Sequence, residues 1–168
     1  HEPLINVLPP DHEFSQISLY VSEKEKSDGI QLLNKNGLNI KKYFTMIPGS
    51  AWRQKQWSAE KYIELANICE ERYKMAPVIL GSEKDIICKE IFKGLSKNAI
   101  DLSGKSNLRQ SMSIISNSSL SIGSDTGFIY ASEALDIPTI VILGPTSFET
   151  GAGVYSKKSL NIFKNDIW

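Results

Sequence analysis

The chain has 168 residues, of which 41% are hydrophobic and 23% are charged, enough for one ordinary globular domain with its own core. Its 19 basic and 19 acidic residues give a formal net charge of zero, which argues against bulk attraction to nucleic acid or anionic lipid. No apolar run approaches the roughly 18 residues of a membrane helix, so no transmembrane segment is predicted.

The first 20 residues lack clear periodicity and carry three prolines, which predicts a linker or leading segment before a single domain over residues 21–168. The chain opens with His-Glu-Pro and no Met, so we expect a cut or processed piece of a longer protein. Its only histidines, His1 and His12, fall in that segment. Neither a structural zinc site nor a histidine-dependent nucleophile is therefore predicted.

Helical and strand-like segments alternate from residue 22 onward. Ser22 and Glu25 have the spacing of a capping box, which predicts a helix that ends near Asn36, before Gly37. The other predicted elements follow in chain order: a strand at 43–47, a helix at 59–73 capped by Ser58, a strand at 77–80, a helix at 83–95 capped by Ser82, a weak strand at 100–102, a helix capped by Asn107, a strand at 120–122, a helix ending near Leu135, a strand at 139–143 and a sixth strand near 160–163.

Strands that are apolar throughout and alternate with helices predict an α/β fold with a doubly wound, mainly parallel sheet covered on both faces. About six strands favour the Rossmann-like order over the flavodoxin-like alternative. In the Rossmann order the first and fourth strands are neighbours, and ligands bind beyond the carboxyl ends of the strands at this switch point. The loops that leave these two strands therefore bound the predicted site.

Three loops at this edge consist largely of Gly, Pro and hydroxyl residues, at 48–50, 123–127 and 144–146. Each alone could be an ordinary turn, but three at one edge predict a binding site. A helix beginning near Thr126 would direct its free N–H groups at the crevice, Gly127 would allow close approach, and Ser124 and Thr126 could donate hydroxyl hydrogen bonds, which together predict a phosphate site. Asp125 would repel a phosphate, so we expect it to cap the helix or to accept from sugar hydroxyls.

Other sequence features narrow the ligand class. Arg53 and Lys55 come just before a helix start, where an anion would sit, although each could be an ordinary surface charge, and Trp57 is expected to be a packing anchor. The chain has no G-x-x-x-x-G-K-[ST], no G-x-G-x-x-G and no D-x-D. P-loop NTPases are therefore excluded, and dinucleotide cofactors and metal-clamped nucleotide sugars are disfavoured.

Six ordered segments resemble the C-terminal domain of glycosyltransferase family 9, the lipopolysaccharide heptosyltransferases. The resemblance covers about residues 44–147, and its segments are Pro48-Gly49-Ser50, Lys55-Gln56-Trp57-Ser58, Leu80-Gly81-Ser82-Glu83, Leu102-Ser103-Gly104-Lys105-Ser106-Asn107-Leu108, Gly123-Ser124-Asp125-Thr126-Gly127 and Gly144-Pro145-Thr146.

The resemblance implies a GT-B fold of two Rossmann-like domains, of which this chain would be the C-terminal, nucleotide-sugar-binding one. The absent N-terminal domain would bind the acceptor and supply the catalytic base, so the isolated domain is expected to be inactive alone. The implied reaction is a metal-independent, inverting transfer from a donor such as ADP-heptose to lipopolysaccharide core or another glycan, without a further cofactor. A cytoplasmic location is implied, either free or at the inner membrane.

The resemblance also assigns positions. It implies that Ser50 and Lys55 contact the diphosphate, with Lys55 stabilising the leaving group. Thr126 and Gly127 would hold phosphate, and Asp125 would meet the donor sugar. Glu83, with Asp85 as its rival, would lie near the ribose, and Ser106, Leu108 and Met112 near the base, with core packing as the alternative for the last two.

One position departs from the family pattern, because Tyr130 stands where the family carries histidine. Tyrosine keeps a ring and a hydroxyl donor but has no charge near neutral pH. It is either a substrate-binding residue or a helix residue packed on the sheet. The departure favours a different donor sugar or lost activity, so two alternatives stay open: a nucleotide-sugar hydrolase or epimerase of similar fold, and a non-catalytic module that has lost the ligand.

Overall fold

The structure of the chain is a computed structural model that describes residues 17–38, 42–145 and 151–163. Most of the predicted linker, residues 1–16, lies outside the described residues, as does Thr146. Residues 17–22 have no regular secondary structure. The described part of the chain holds the elements that carry the predicted site.

Six parallel strands form one sheet in the order β3-β2-β1-β4-β5-β6, which confirms the predicted Rossmann-like α/β fold. The strands are β1 (Tyr43–Ile47), β2 (Ala76–Ile79), β3 (Ile100–Asp101), β4 (Ser121–Ser124), β5 (Thr139–Leu143) and β6 (Ser159–Phe163). The helices are α1 (Glu23–Lys35), α2 (Ala59–Tyr73), α3 (Ile86–Gly94), α4 (Leu108–Ser116) and α5 (Gly127–Ala134), and a short 3₁₀ turn spans Arg53–Lys55.

Two predicted boundaries are wrong by more than one residue, and both lie at the carboxyl edge of the sheet. The α3 helix begins at Ile86 rather than at residue 83, because Ser82 and Asp85 close a turn in which the Ser82 N–H donates to the Asp85 carboxylate at 2.7 Å. The β4 strand continues to Ser124 instead of ending at residue 122. Three predicted caps are confirmed, since Ser22, Ser58 and Asn107 each accept from a backbone N–H at N3. Ser82 is wrong as a cap, because Asp85 is the N-cap residue of α3, and the alternative that Asp125 caps α5 is wrong, because Thr126 takes that position.

Helices cover both faces of the sheet, and alternate β1 residues supply the two cores. Tyr43 and Ile47 pack with α1, α4 and α5, whereas Phe44 and Met46 pack with α2 and α3. The α1, α4 and α5 side includes Leu33, Ile114, Ile115 and Ile129, and the α2 and α3 side includes Tyr62, Ala66, Ile87 and Ile91. Cys69 and Cys88 are buried and unpaired, as expected of core thiols. The sheet is thus fixed from both sides, which gives the loops at its edge a rigid base.

The α1 and α4 helices pack closely where Gly29 meets Ser113. A Cβ atom on Gly29 would lie 3.1 Å from the Ser113 Cβ and 3.2 Å from its carbonyl carbon, and closer still to its hydroxyl oxygen. Arg109 of α4 also holds Glu25 of α1 in an ion pair with an N–O distance of 2.6 Å.

We therefore expect Gly29→Ala to lower the free energy of unfolding despite the better helix propensity of alanine. Overpacking of this kind costs about 1 to 3 kcal/mol and alanine regains about 0.5 to 1 kcal/mol, so Tm should fall by several degrees. Calorimetric melting of the variant measures this, with Ser27→Ala on the exposed face of α1 as control. An unchanged Tm would contradict the close packing of the two helices.

Candidate functional site

The switch point of the sheet opens into a crevice between β1 and β4. Ile47 is opposite Gly123 in the parallel pairing, so the loops that leave both strands diverge from one place. They border a cavity of about 600 Å³, which we call the central crevice. Its lining residues come from three loops and two helices: Ile47, Gly49, Ser50, Ala51, Gly81, Ser82, Asp85, Leu108, Met112, Thr126, Gly127, Phe128 and Ala131.

The acid at the β2 edge of the crevice is Asp85. A Cβ atom on Gly49 would lie 2.7 Å from one oxygen of the Asp85 carboxylate, so only glycine lets the β1 loop pass this close. Glu83, the residue predicted near a ribose, is exposed and is not among the lining residues. The structure therefore places the rival acid, Asp85, at the crevice.

The start of α5 forms the opposite wall. Thr126 is its N-cap residue, and the N–H groups of Gly127 and Phe128 in the first turn have no intrahelical acceptor. The Thr126 hydroxyl is buried and has no hydrogen-bond partner among the residues that the structure describes. A Cβ atom on Gly127 would meet nothing within 4 Å. This wall thus offers N–H donors, an unsatisfied hydroxyl and open space to an incoming group.

The wall formed by α4 and α5 is apolar. Leu108 and Met112 lie on it with Phe128 and Ala131. Leu108 is 60% exposed, so core packing, the alternative reading of this residue, is wrong for it. Ser106 lies outside the lining, and its hydroxyl is 2.8 Å from that of Ser111. A flat apolar ligand group of the size of a nucleobase would find contacts here.

A second cavity of about 440 Å³ is lined by Lys55 and Asp125, and we call it the Lys55 pocket. It is lined by Trp52, Lys55, Asp125, Tyr130, Pro145, Gly151 and Ala152. The Lys55 ammonium lies 2.6 Å from Oδ2 of Asp125, and the two side chains are only 20% and 7% exposed. The two cavities meet at consecutive residues, since Asp125 borders one and Thr126 the other.

Packing of the β5 loop against the 3₁₀ turn positions Lys55. A Cβ atom on Gly144 would lie 2.7 Å from the carbonyl oxygen of Gln54 and 3.3 Å from the Cα of Lys55, so the two backbones are in direct contact. Arg53 on the same turn is exposed and does not line the Lys55 pocket. Of the two basic residues predicted for an anion, only Lys55 is directed toward Asp125.

Tyr130 completes the polar cluster of the Lys55 pocket. Its hydroxyl donates to Oδ1 of Asp125 at 2.5 Å and accepts from the N–H of Gly153 at 3.3 Å. Burial, and then the hydrogen bond to Asp125, raise the pKa of Tyr130 to about 12, so the phenol stays protonated at neutral pH. The prediction that this ring only packs on the sheet is therefore incomplete, since it also binds the site carboxylate.

Ser124 makes a structural hydrogen bond in place of the predicted phosphate contact, whereas Trp57 packs as predicted. The Ser124 hydroxyl is buried and donates to the carbonyl of Pro48 at 3.1 Å, which ties the β4 end to the β1 loop. Trp57 packs edge-on against Tyr62 with ring centroids 5.1 Å apart, as expected of a packing anchor. Neither residue lines the central crevice or the Lys55 pocket.

Trp52, Phe128 and Ala131 border the two cavities but were not predicted as site residues. Trp52 is 63% exposed, and the Lys55 ammonium lies 5.4 Å from its ring centroid. A large aromatic residue in the loop that leaves β1 is a signal that could have found it, because such loops border the site. Phe128 and Ala131 follow Gly127 on α5, and helical periodicity from the crevice end would have placed them on the same wall.

Two other features are absent from residues 17–38, 42–145 and 151–163. No helix there is long and apolar enough to cross a membrane. Among the same residues, no group of three or more His, Cys, Asp or Glu side chains is arranged to hold a metal ion.

Comparison with known proteins gives matches across most of the chain. The model of glycosyltransferase family 9 (heptosyltransferase) matches residues 9–168. Lipooligosaccharide heptosyltransferase 2 of Haemophilus ducreyi is 32% identical over 100 residues, covering 55% of this chain and 28% of that protein. The solved ADP-heptose LPS heptosyltransferase II of E. coli is 26% identical with a TM-score of 0.79, covering 94% of this chain and 47% of that one.

A solved glycosyltransferase of family 9 from Veillonella parvula has a TM-score of 0.82 at 19% identity, a likeness of fold alone. The match covers 98% of this chain and 48% of the Veillonella protein. The chain therefore spans about half the length of these two solved proteins.

Proposed function

Because the chain belongs to glycosyltransferase family 9, as its ordered motifs indicated, we propose that it is the nucleotide-sugar-binding part of an inverting, metal-independent glycosyltransferase. The donor would be a nucleoside diphosphate sugar such as ADP-heptose, and the acceptor lipopolysaccharide core or another glycan. The solved E. coli relative is an ADP-heptose LPS heptosyltransferase.

The observation that carries this proposal is the junction of the two cavities. A phosphate at the start of α5 would receive N–H groups from Gly127 and Phe128 and the hydroxyl of Thr126. The Lys55–Asp125 pair borders the adjoining pocket, where the next part of the ligand would continue. Cationic and anionic groups side by side match a donor whose anionic diphosphate is bonded directly to a neutral, hydroxyl-rich sugar.

The remaining parts of such a donor match the rest of the crevice. The base would lie on the apolar wall of Leu108, Met112 and Phe128. Asp85 would reach ribose hydroxyls from the β2 edge, in the role that the resemblance implied for Glu83. Ser50 also lines the crevice, where it would donate to the diphosphate.

In the proposed reaction, an acceptor hydroxyl attacks the anomeric carbon of the donor sugar from the face opposite the diphosphate. The bond from that carbon to the phosphate oxygen breaks, and the nucleoside diphosphate leaves with the bonding electrons. Lys55 and the α5 amides would stabilise the added charge on the leaving group, a contribution that grows toward the transition state. The base that removes the acceptor proton would come from the other half of the enzyme.

Calorimetric titration of the chain with ADP, UDP and GDP tests the proposal. We expect at least one of them to bind with Kd below about 1 mM, or about 4 kcal/mol of binding free energy, and adenosine or the matching nucleoside to bind more weakly. Failure of all three to bind at millimolar concentration would contradict the proposal and favour a module that has lost its ligand. Release of free sugar from a nucleotide sugar without acceptor would instead favour a hydrolase.

A further inference from the structure

The direction of the hydrogen bonds around Tyr130 is fixed by its two partners. The Gly153 N–H can only donate, so the phenol oxygen accepts there. Its single proton is then directed to Oδ1 of Asp125 at 2.5 Å. The other carboxylate oxygen, Oδ2, is 2.6 Å from the Lys55 ammonium. Both oxygens of Asp125 are therefore held by donors on different elements.

The helix that carries Tyr130 also holds the segment after residue 150. Glu133, one turn further along α5, accepts from the N–H groups of Tyr155 and Ser156 at 2.5 Å each. Tyr130 and Glu133 thus fix Gly153, Tyr155 and Ser156 against one face of the helix. Because Gly151 and Ala152 line the Lys55 pocket, this attachment also sets the pocket wall that faces Asp125.

We propose that Tyr130 is a positioning residue that orients the Asp125 carboxylate, and the pocket wall at Gly151 and Ala152, for the sugar of a nucleotide-sugar donor. The inference rests on the proposed function and adds a residue that acts through Asp125 without touching the ligand itself. The neutral phenol orients the Asp125 carboxylate without adding a charge to the pocket.

A carboxylate held in one orientation binds sugar hydroxyls better than one that rotates, because less rotamer entropy is lost on binding. Removing the phenol oxygen would leave Oδ1 of Asp125 without its Tyr130 donor and detach Gly153 from α5. The ring itself would keep its contacts with the core on the α5 side of the sheet. The expected loss is therefore confined to the sugar end of the ligand.

The test compares Tyr130→Phe with the parent chain for paired ligands: ADP with ADP-glucose, UDP with UDP-glucose, and GDP with GDP-mannose. For the pair that the parent binds best, we expect the variant to lose about three- to tenfold in affinity for the nucleotide sugar, the size of one ordinary hydrogen bond, and less than twofold for the diphosphate. Tyr73→Phe, at a tyrosine that is 61% exposed on α2, is the matched control and should change neither.

The ratio of the two affinities separates the outcomes. An unchanged ratio with unchanged affinities would overturn the positioning role. Equal losses for both ligands together with a lower Tm would also overturn it, because they would show a purely structural residue. If the parent itself bound none of the six ligands, the proposed function would fail first, and this inference with it.

Discussion

Replacing Lys55 by methionine should weaken the binding of a nucleoside diphosphate by about ten- to a hundredfold, the equivalent of about 1.4 to 3 kcal/mol for a charge-assisted contact. Methionine keeps the length and the apolar stem of the side chain. It removes the ammonium that lies 2.6 Å from Asp125 and beside the start of α5. Calorimetric titration with the best-binding diphosphate measures the effect.

A single variant at Lys55 mixes two causes. In the proposed complex the lysine would contact the diphosphate, and it also neutralises Asp125, whose side chain is only 7% exposed. Without the lysine, the unpaired carboxylate would repel the diphosphate. The double variant Lys55→Met/Asp125→Asn removes both charges, so it isolates the direct contact of the lysine with the ligand.

We expect the double variant to regain only part of the affinity. Complete recovery would show that Lys55 merely neutralises Asp125, and parental affinity in the single variant would refute its role altogether. Lys61→Met is the matched control, since Lys61 lies on α2 in a surface ion pair with Glu64 and its side chain is 54% exposed. Its affinity should equal that of the parent, because exposed pairs contribute little.

Gly127→Ala should separate binding from stability. A Cβ atom at this position meets nothing within 4 Å, and the backbone conformation is one that alanine adopts without strain. The fold should therefore keep its Tm, or gain slightly from the helix propensity of alanine. If a phosphate lies against the first turn of α5, the added methyl group would hold it away from the N–H groups, and affinity should fall by about ten- to a hundredfold.

Two measurements check this prediction. Calorimetric melting gives Tm, and titration gives the affinity for the diphosphate, with the matching nucleoside as a control ligand that should bind the variant as well as the parent. A variant that binds the diphosphate with parental affinity would place the phosphate elsewhere in the crevice. A variant with a much lower Tm would contradict the open space around Gly127.

Most of the fold could be predicted because its signals are local. Strand β1 is apolar at nearly every position and is bounded by Pro48, and Ser58 and Asn107 have the side-chain oxygens that helix caps use. The predicted start of α3 is wrong because Ser82 and Asp85 are both acceptable caps. Which of them ends the turn depends on the carboxylate of Asp85 folding back to an amide, and helical periodicity carries no information about this.

The candidate site could be predicted as a set of loops but not as a set of contacts. Fold topology brings the β1 and β4 loops together, so the sequence predicts that Ser50, Thr126 and Gly127 lie at one edge of the sheet. Lys55 and Asp125 are 70 residues apart, and nothing in the pattern of either segment indicates that they pair. The hydrogen bond that the Gly153 N–H donates to the Tyr130 hydroxyl also depends on the direction of a side chain, so only the three-dimensional structure reveals it.

During synthesis, the central pair of strands in the sheet is completed late. Thr45 of β1 pairs with Ser121 of β4, 76 residues later, so β1 is synthesised long before its second neighbour exists. Until then β1 can pair only with β2, which in turn pairs with β3, and the other edge of an almost wholly apolar strand stays open. We therefore expect the nascent chain to be most prone to aggregation in that interval, and the crevice to form only when β4 closes that edge.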